Sequence, residues 1–421
     1  MSDVDRYEHH PGDYQMSEYG GVYRVKSRLA AGLPPIANNA DAEVIMAACM
    51  ANLGATGGVI RLAPRTTFDF GDTVHVTTKI CIVGGGPTTI CRPAAGPWAK
   101  ALFDLDEEFG GAARQEDNQL RNFQIDMRSI ADSDGIHIHN TKNLLIEDVQ
   151  VRFFEQYGIY HESDNSQYTF GVWMNRLFFE ADGATAGIYA LDTTDGFLDS
   201  WVTNSYGNLV STDYGVYLGC AGNLNISRMH VVAATNAFYF APNEAAGGGV
   251  VFDINLHRPV IDYITGHGIL LHKTHGSMED ITIAYPHFIH PPDNFDLIHI
   301  DLAGTNLKRL HVIGATTSGV LAHEYFVNTD DATKMEDCLF RDNRIAVGGT
   351  GTYNNVPTHQ IIRDRTDITS SYQLEAGGAW VGPVWVGTPP NGWDLEMYNS
   401  NLGEYRHYAY LNAGWRMVAL A

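Results

Sequence analysis

From Leu120 onward one short pattern returns along the chain: an apolar residue, two polar residues, an apolar residue. It reads Leu120-Arg121-Asn122-Phe123, Ile146-Glu147-Asp148-Val149, Met174-Asn175-Arg176-Leu177 and Leu198-Asp199-Ser200-Trp201. It continues as Ile226-Ser227-Arg228-Met229, Met278-Glu279-Asp280-Ile281, Leu307-Lys308-Arg309-Leu310 and Met335-Glu336-Asp337-Cys338. The step is 24 to 29 residues, and the one doubled gap, 226 to 278, holds Phe252-Asp253-Ile254 near its middle. A second phrase keeps the same beat: Gly135-Ile136-His137-Ile138, Gly158-Ile159-Tyr160, Gly187-Ile188-Tyr189, Gly215-Val216-Tyr217, Ala237-Phe238-Tyr239, Gly268-Ile269-Leu270 and Leu297-Ile298-His299. Two strand signals per fixed period describe a solenoid, in which each turn buries its apolar face only against the turns above and below.

The period selects among solenoids. Helical repeats would show apolar spacings of three and four over ten or more residues, and these segments do not. The leucine and asparagine ladder of leucine-rich repeats is also missing. Short β-branched and aromatic runs broken by Gly, Asn, Asp and Ser fit strands and turns. A coil of about 27 residues accommodates three short strands at roughly 3.3 Å per residue with their turns. The pattern therefore predicts an all-β fold, a right-handed parallel β-helix.

The ends differ from the middle. Residues 1–37 are polar and aromatic without clear periodicity, which predicts an irregular N-terminal arm. Asn39 or Asp41 can cap a helix over about 42–53, with Val44, Ile45, Ala48 and Cys49 as its apolar stripe and Gly54 as its stop. Gly57-Gly58-Val59-Ile60-Arg61-Leu62-Ala63-Pro64 then reads as a strand ended by proline, followed by Asp72-Thr73-Val74-His75-Val76, Ile80-Cys81-Ile82-Val83-Gly84-Gly85-Gly86 and Thr89-Ile90-Cys91. A helix, then Gly-Gly-Val-x-x-Leu-x-Pro, then an apolar run into glycines resembles the start of the pectate-lyase-like β-helix superfamily. The resemblance covers roughly residues 38–346 and implies that the helix plugs the open end of the solenoid. The superfamily includes pectate lyases, polygalacturonase-like hydrolases, sugar epimerases and viral tailspikes, so the resemblance speaks to fold more than to reaction.

After about residue 346 the beat fails. Residues 347–421 carry Trp380, Trp385, Trp393, Tyr398, Tyr405, Tyr408, Tyr410 and Trp415. This stretch resembles the small β-modules at the ends of tail fibre and spike proteins, which implies trimerisation or receptor contact.

Composition narrows the partners. The formal net charge is −22, from 49 acidic against 27 basic residues. Phosphate binding needs a basic face, so nucleic acid is not an expected partner, nor is an anionic membrane. Lysine is confined to Lys26, Lys79, Lys100, Lys142, Lys273, Lys308 and Lys334. An acidic, lysine-poor surface keeps a protein hydrated at high salt, which points to a halophilic setting. No run of 18 apolar residues is present to cross a membrane as a helix, and the first residues lack the basic start and apolar stretch of an export signal. Cys49, Cys81, Cys91, Cys220 and Cys338 are odd in number and sit in apolar runs, so they read as buried hydrophobes. No Cys or His spacing suggests zinc, and no cofactor is expected.

Candidate chemistry follows from stacking. Residues at one register of adjacent coils lie about 4.8 Å apart, so sequence-distant acids can meet. Glycosidases need two carboxylates, which makes Glu147, Asp148 and Asp199, with Glu279/Asp280 and Glu336/Asp337, the candidate acids. The competing reading is that these positions are turns, where Asp, Asn and Ser are favoured for backbone reasons. His137 and His139 alternate on one strand with Asp134 nearby. Asp253, His257 and Asp262 are close in sequence, as are His287, His290 and Asp293. No repeated Asp-x-Asp calcium pattern occurs, and the paired aspartates of polygalacturonase-like hydrolases are not visible as a motif. Tyr160, Tyr189, Tyr217 and Tyr239 fall at one register and predict an aromatic ladder on one face, a surface suited to sugars.

Together these readings predict a virion spike or tail fibre protein, made in the host cytoplasm. It would be a homotrimer attached to other virion proteins through its arm, recognising a polysaccharide or glycoprotein of the host surface. The alternative is a free-standing lyase, hydrolase or epimerase acting on polysaccharide.

Overall fold

The computed structural model describes residues 14–27, 38–345 (apart from 78, 95–97, 99, 106–114, 163–168, 192–196, 243–248, 274–275, 291–293, 304–305 and 319–322), 351–356, 361–362 and the strands 393–399, 404–411 and 414–418. It is the expected parallel β-helix, with about eight turns of roughly 28 residues. One sheet of 25 strands wraps two sides of the coil and a second sheet of 11 strands forms the remaining side. The second, called here the ladder sheet, runs from Val74–His75 to Gly351–Asn354. Inward side chains stack coil on coil: Ile136 on Ile159, Ile188, Val216, Phe238, Ile269 and Ile298. All of them are buried.

The N-terminal end is closed differently from the expectation. Where the sequence suggested an irregular arm, β1 (Tyr14–Tyr19) and β2 (Val22–Ser27) form an antiparallel hairpin. Its turn is Gly20-Gly21, both at positive φ (63° and 77°), the geometry two-residue hairpin turns require. Tyr14, Met16, Tyr23 and Val25 alternate inward and are buried, a period-2 signal too short to stand out in a polar segment. The Asn38–Asn39 strand, β3, pairs with β2, and β1 pairs in parallel with β4 (Gly58–Leu62). The hairpin thus covers a solenoid edge that would otherwise expose unpaired backbone groups.

Helix α1 spans Ala42–Leu53 as predicted, and Asp41 caps it by accepting from the Glu43 N–H at 2.9 Å. The buried stripe is Ala42, Ile45, Met46, Cys49, Met50 and Leu53, not the Val44/Ala48 side. The spacing of three and four holds, but the two methionines, long enough to reach the first coil's core, set which face turns inward. Among the described residues no helix is long and apolar enough to cross a membrane. In the C-terminal region Trp393–Asn399, Glu404–Leu411 and Gly414–Val418 form a three-stranded antiparallel sheet.

Register resolves the repeated polar phrase into two corners rather than one. Leu120, Ile146, Met174, Val202 and Ile226 stack in one column, which continues through Leu256, Ile283, Val312 and Phe340. Met278, Leu307 and Met335 stack in another, with Phe197, Ala221 and Val251 before them. The two corners are only five residues apart in the coil: Asn143 turns one and Asp148 the other, at φ 54° and 55°. A left-handed residue breaks strand alternation, so the apolar residues on either side of the polar pair both face the lumen, except in the Leu198–Trp201 phrase, which is one residue out of register and turns Phe197 and Ser200 inward instead. Asp and Asn fill many of these positions because their short side chains hydrogen-bond locally and tolerate the conformation, and Arg recurs at others. The acidic pairs are therefore turn residues, and Glu147/Asp148 lie on a different corner from Asp199, Asp280 and Asp337.

Candidate functional site

The ladder sheet owes its tight coil spacing to glycine. A Cβ built on Gly215 would lie 2.4 Å from the Ala237 carbonyl oxygen and 2.6 Å from Val231 Cγ1. Gly158 and Gly187 meet the next coil's carbonyl at 2.6 and 2.9 Å in the same way. This close approach explains why the second sequence phrase opens on glycine.

One residue beyond the inward Ile/Val/Phe column, the side chains point out. Pairing places Asp104, His137, Tyr160, Tyr189, Tyr217, Tyr239, Leu270, His299 and Asn328 in a single outward file. The four tyrosines proposed from sequence are thus in register and half-buried. Tyr157 and Tyr214, three positions ahead of Tyr160 and Tyr217, interleave with them and were not anticipated. The repeated Tyr-Gly-x-Tyr at 157–160 and 214–217 was the available signal. Ring centroids lie 4.5 Å apart for Tyr157–Tyr189, 4.3 Å for Tyr189–Tyr217 and 4.9 Å for Tyr214–Tyr239. The Tyr189 and Tyr217 rings are inclined by only 9°. Rings stacked along the rod cover each other's faces, so the ladder presents phenol edges and hydroxyls, not flat faces for stacking sugars as the sequence suggested. Burial raises the Tyr160 and Tyr189 phenols far above their ordinary range, helped at Tyr160 by the Glu162 carboxylate. They remain neutral hydrogen-bond donors.

At the N-terminal end of the ladder stands a linked cluster that sequence reading only half found. His137 Nδ1 meets Asp104 Oδ1 at 2.9 Å and its Nε2 meets Glu162 Oε1 at 3.1 Å. His75 contacts the other Asp104 oxygen at 3.0 Å, and the Tyr160 hydroxyl donates to Glu162 Oε2 at 2.7 Å. Burial alone would disfavour charge on His137, but hydrogen bonds to Asp104 and Glu162 outweigh it and raise the ring to about 10. His137 is therefore an imidazolium clamped between two carboxylates. The Glu162 carboxyl is correspondingly held well below the usual range, chiefly by His137. Asp134 has the opposite shift: burial pushes it up to about 6, opposed by the Tyr157 N–H that it accepts at 3.0 Å. His139 shares the outward face, its ring 6.1 Å from that of His137. Asp104 was missed because the phrase was read only from Gly135 onward, while Ala101–Leu105 is its previous turn.

The remaining candidates are accounted for by local pairing. Arg176 holds Asp148 in a two-point contact, both arms at 2.6 Å, and also reaches Glu147 at 3.0 Å. Arg121 engages Glu147 at 2.9 Å. Asp199 accepts from Asn223 at 2.6 Å on the exposed second corner. Arg309 spans Asp280 and Glu279, and Glu336 accepts from Asn306. Asp262 meets His290 at 3.0 Å and not Asp253, while His287 pairs with Ser318 and His257 packs edge-on to Tyr285. Asp293 lies outside the described residues. At the far end of the ladder, His267, Asp296 and His299 come together, a set that no sequence spacing revealed because it spans adjacent coils.

No protein-family model matches the chain, and no curated protein matches it. Solved structures do. A tailspike protein mutant of E. coli bacteriophage HK620 in complex with a pentasaccharide superposes with a TM-score of 0.61 at 12% identity, over 80% of this chain and 64% of the tailspike. The mannuronan C-5 epimerase AlgE6 A-module of Azotobacter vinelandii gives 0.51 at 13% identity, over 77% of this chain and 94% of the module. PfbA, a surface adhesin of Streptococcus pneumoniae, gives 0.53 at 12% identity, over 90% and 95%. The chain spans under two thirds of the tailspike's length. With these structures it shares the parallel β-helix fold.

Proposed function

We propose that the ladder sheet is a glycan-recognising face and that the protein is a spike or tail fibre, a homotrimer carried on a virion and directed at a host-surface polysaccharide or glycoprotein. The observation that carries the glycan reading is the outward file of tyrosine hydroxyl edges continuing into the His137–Asp104–Glu162 cluster. A row of neutral donors beside fixed carboxylates and an imidazolium matches the donors and acceptors that line a polysaccharide. A tailspike of this fold in complex with a pentasaccharide supports the reading. The acidic, lysine-poor composition supports a salt-rich setting for the same role.

A second reading, catalysis on the bound glycan, is favoured by the same cluster. His137, an imidazolium fixed between Asp104 and Glu162, can stabilise negative charge developing on a sugar oxygen held over the ladder. A panel of acidic and neutral polysaccharides, assayed for binding and for cleavage or epimerisation, separates the readings. Retained binding without turnover, lost in Tyr189→Ala/Tyr217→Ala, supports the spike. Turnover lost in His137→Ala supports the enzyme. Binding unchanged by the tyrosine pair refutes the ladder as the site. Absolute mass by light scattering in high and low salt tests the assembly, and a monomer in both refutes the trimer.

A further inference from the structure

We propose that His267, Asp296 and His299 form a binding site for a divalent transition-metal ion of the zinc type. The proposal is independent of whether a glycan binds. One nitrogen from each imidazole and one carboxylate oxygen all lie within 4.8 Å of one another. His299 Nδ1 stands 2.7 Å from Asp296 Oδ2, and His267 Nδ1 stands 3.9 Å from the same oxygen. Ligands about 2.1 Å from a tetrahedral ion are separated by roughly 3.4 Å, so an ion would open the first contact by about 0.7 Å and close the second by about 0.5 Å.

Three features of the surroundings fit a cation. The Asp296 side chain is only 3% exposed, yet among the described residues no Lys or Arg pairs with it. A buried carboxylate without a cationic partner is costly, and a bound cation would balance it. Its outer contacts are already built: Oδ1 accepts the Tyr325 N–H at 3.1 Å and Oδ2 accepts from Asn328 at 2.9 Å. Such partners orient a ligating carboxylate. Third, His323 is buried close enough to Asp296 to feel its charge, and among the described residues its Nδ1 has no partner. Its neighbours hold it there, since Glu324 N–H donates to the Phe295 carbonyl at 2.8 Å and Tyr325 N–H to Asp296.

The donor set decides the class of ion. Two imidazoles and one carboxylate suit zinc, cobalt or nickel over calcium or magnesium, which take oxygen. The His267 Nδ1 accepts the Asp296 N–H at 3.3 Å, a long contact that an ion at that nitrogen would replace. Both ligating imidazoles retain some exposure, 21% and 23%, which leaves a route for the ion. Three protein ligands leave a coordination position for water or for an oxygen of a bound molecule. That position would lie on the same outward file as the tyrosines, since His299 follows Tyr239 and Leu270 in register.

The test uses the full chain, stripped with chelator and dialysed against zinc, with metal content read by mass spectrometry and cobalt absorption as a geometric probe. One ion per chain is expected, with low-coordinate visible bands for cobalt. His299→Ala should lose the ion, and Asn328→Ala should bind it about 10- to 100-fold more weakly. His267→Gln, checked for fold by circular dichroism, supplies the same reading if His299→Ala does not fold. Zinc held at wild-type affinity by His267→Gln, or no stoichiometric zinc in the wild type, overturns the proposal.

Discussion

His161 offers the sharpest test of how this solenoid is held together. It occupies an inward position where neighbouring coils place Ile138 and Ala190, and only 1% of it is exposed. Its ring packs on Phe197 at 5.0 Å, and among the described residues neither ring nitrogen has a hydrogen-bond partner. Burial, reinforced by the neighbouring His137 and His139 rings, lowers it from 6.5 to about 3. The sign follows directly. Between about pH 3 and 6.5 the unfolded chain binds a proton that the folded chain refuses, so stability rises with pH across that window and falls on acidification. At pH 4.5 the cost is two pH units below the ordinary value, about 2.7 kcal/mol. Substituting His161→Leu, similar in size and apolar, removes this penalty and the desolvation cost of the unpartnered nitrogens, about 1–3 kcal/mol at any pH. Urea denaturation at pH 7 and pH 4.5 measures both. The variant should be more stable at pH 7, and its advantage should widen by roughly 2–3 kcal/mol at pH 4.5. An advantage that stays constant between the two pH values would refute the reasoning, because it would mean that His161 protonates without unfolding its coil.

Four further outcomes are expected. Gly215→Val must displace the Ala237 carbonyl, so it should lower stability in urea by about 3 kcal/mol or more, whereas Gly183→Ala, with nothing within 4 Å of its Cβ, should cost only the backbone strain of its φ of 83°, about 1–2 kcal/mol. The His137 cluster contributes stability that is fully present below pH 6.5 and lost as the pH rises toward 10. The advantage of wild type over His137→Gln, about 2 kcal/mol near neutrality, should therefore shrink in alkaline denaturation series. Arg176→Ala breaks a largely exposed ion pair and should cost under about 1 kcal/mol, an effect that fades in molar salt. All five cysteines are buried, with Cys49 pushed up to about 12 by burial, so thiol reagents should label none of them in the native state and all of them in urea.

The periodicity of Gly-Ile-x and apolar-polar-polar-apolar phrases determined the solenoid, because each coil must bury its own apolar positions against its neighbours and so repeats them in sequence. The capping helix was legible for the same local reason: Asp41, the three-and-four spacing and Gly54 act within one turn of chain. The tyrosine file was legible too, since Tyr160, Tyr189, Tyr217 and Tyr239 share a register that any parallel stacking would preserve. What the sequence could not decide was which phrase belongs to which corner. Leu198 and Met278 look like successors of Met174 and Ile226, yet they turn the chain five residues earlier in the coil, because a left-handed kink leaves the same apolar-x-x-apolar imprint wherever it occurs. That choice belongs to the inter-coil hydrogen bonds, and it separated Asp199 from Glu147 and Asp148. The charged clusters were likewise decided by tertiary structure alone. His137 meets Asp104 and Glu162, and His267 meets Asp296 and His299, across coils 25 to 33 residues apart, where side-chain reach and burial, not sequence spacing, determine the partners.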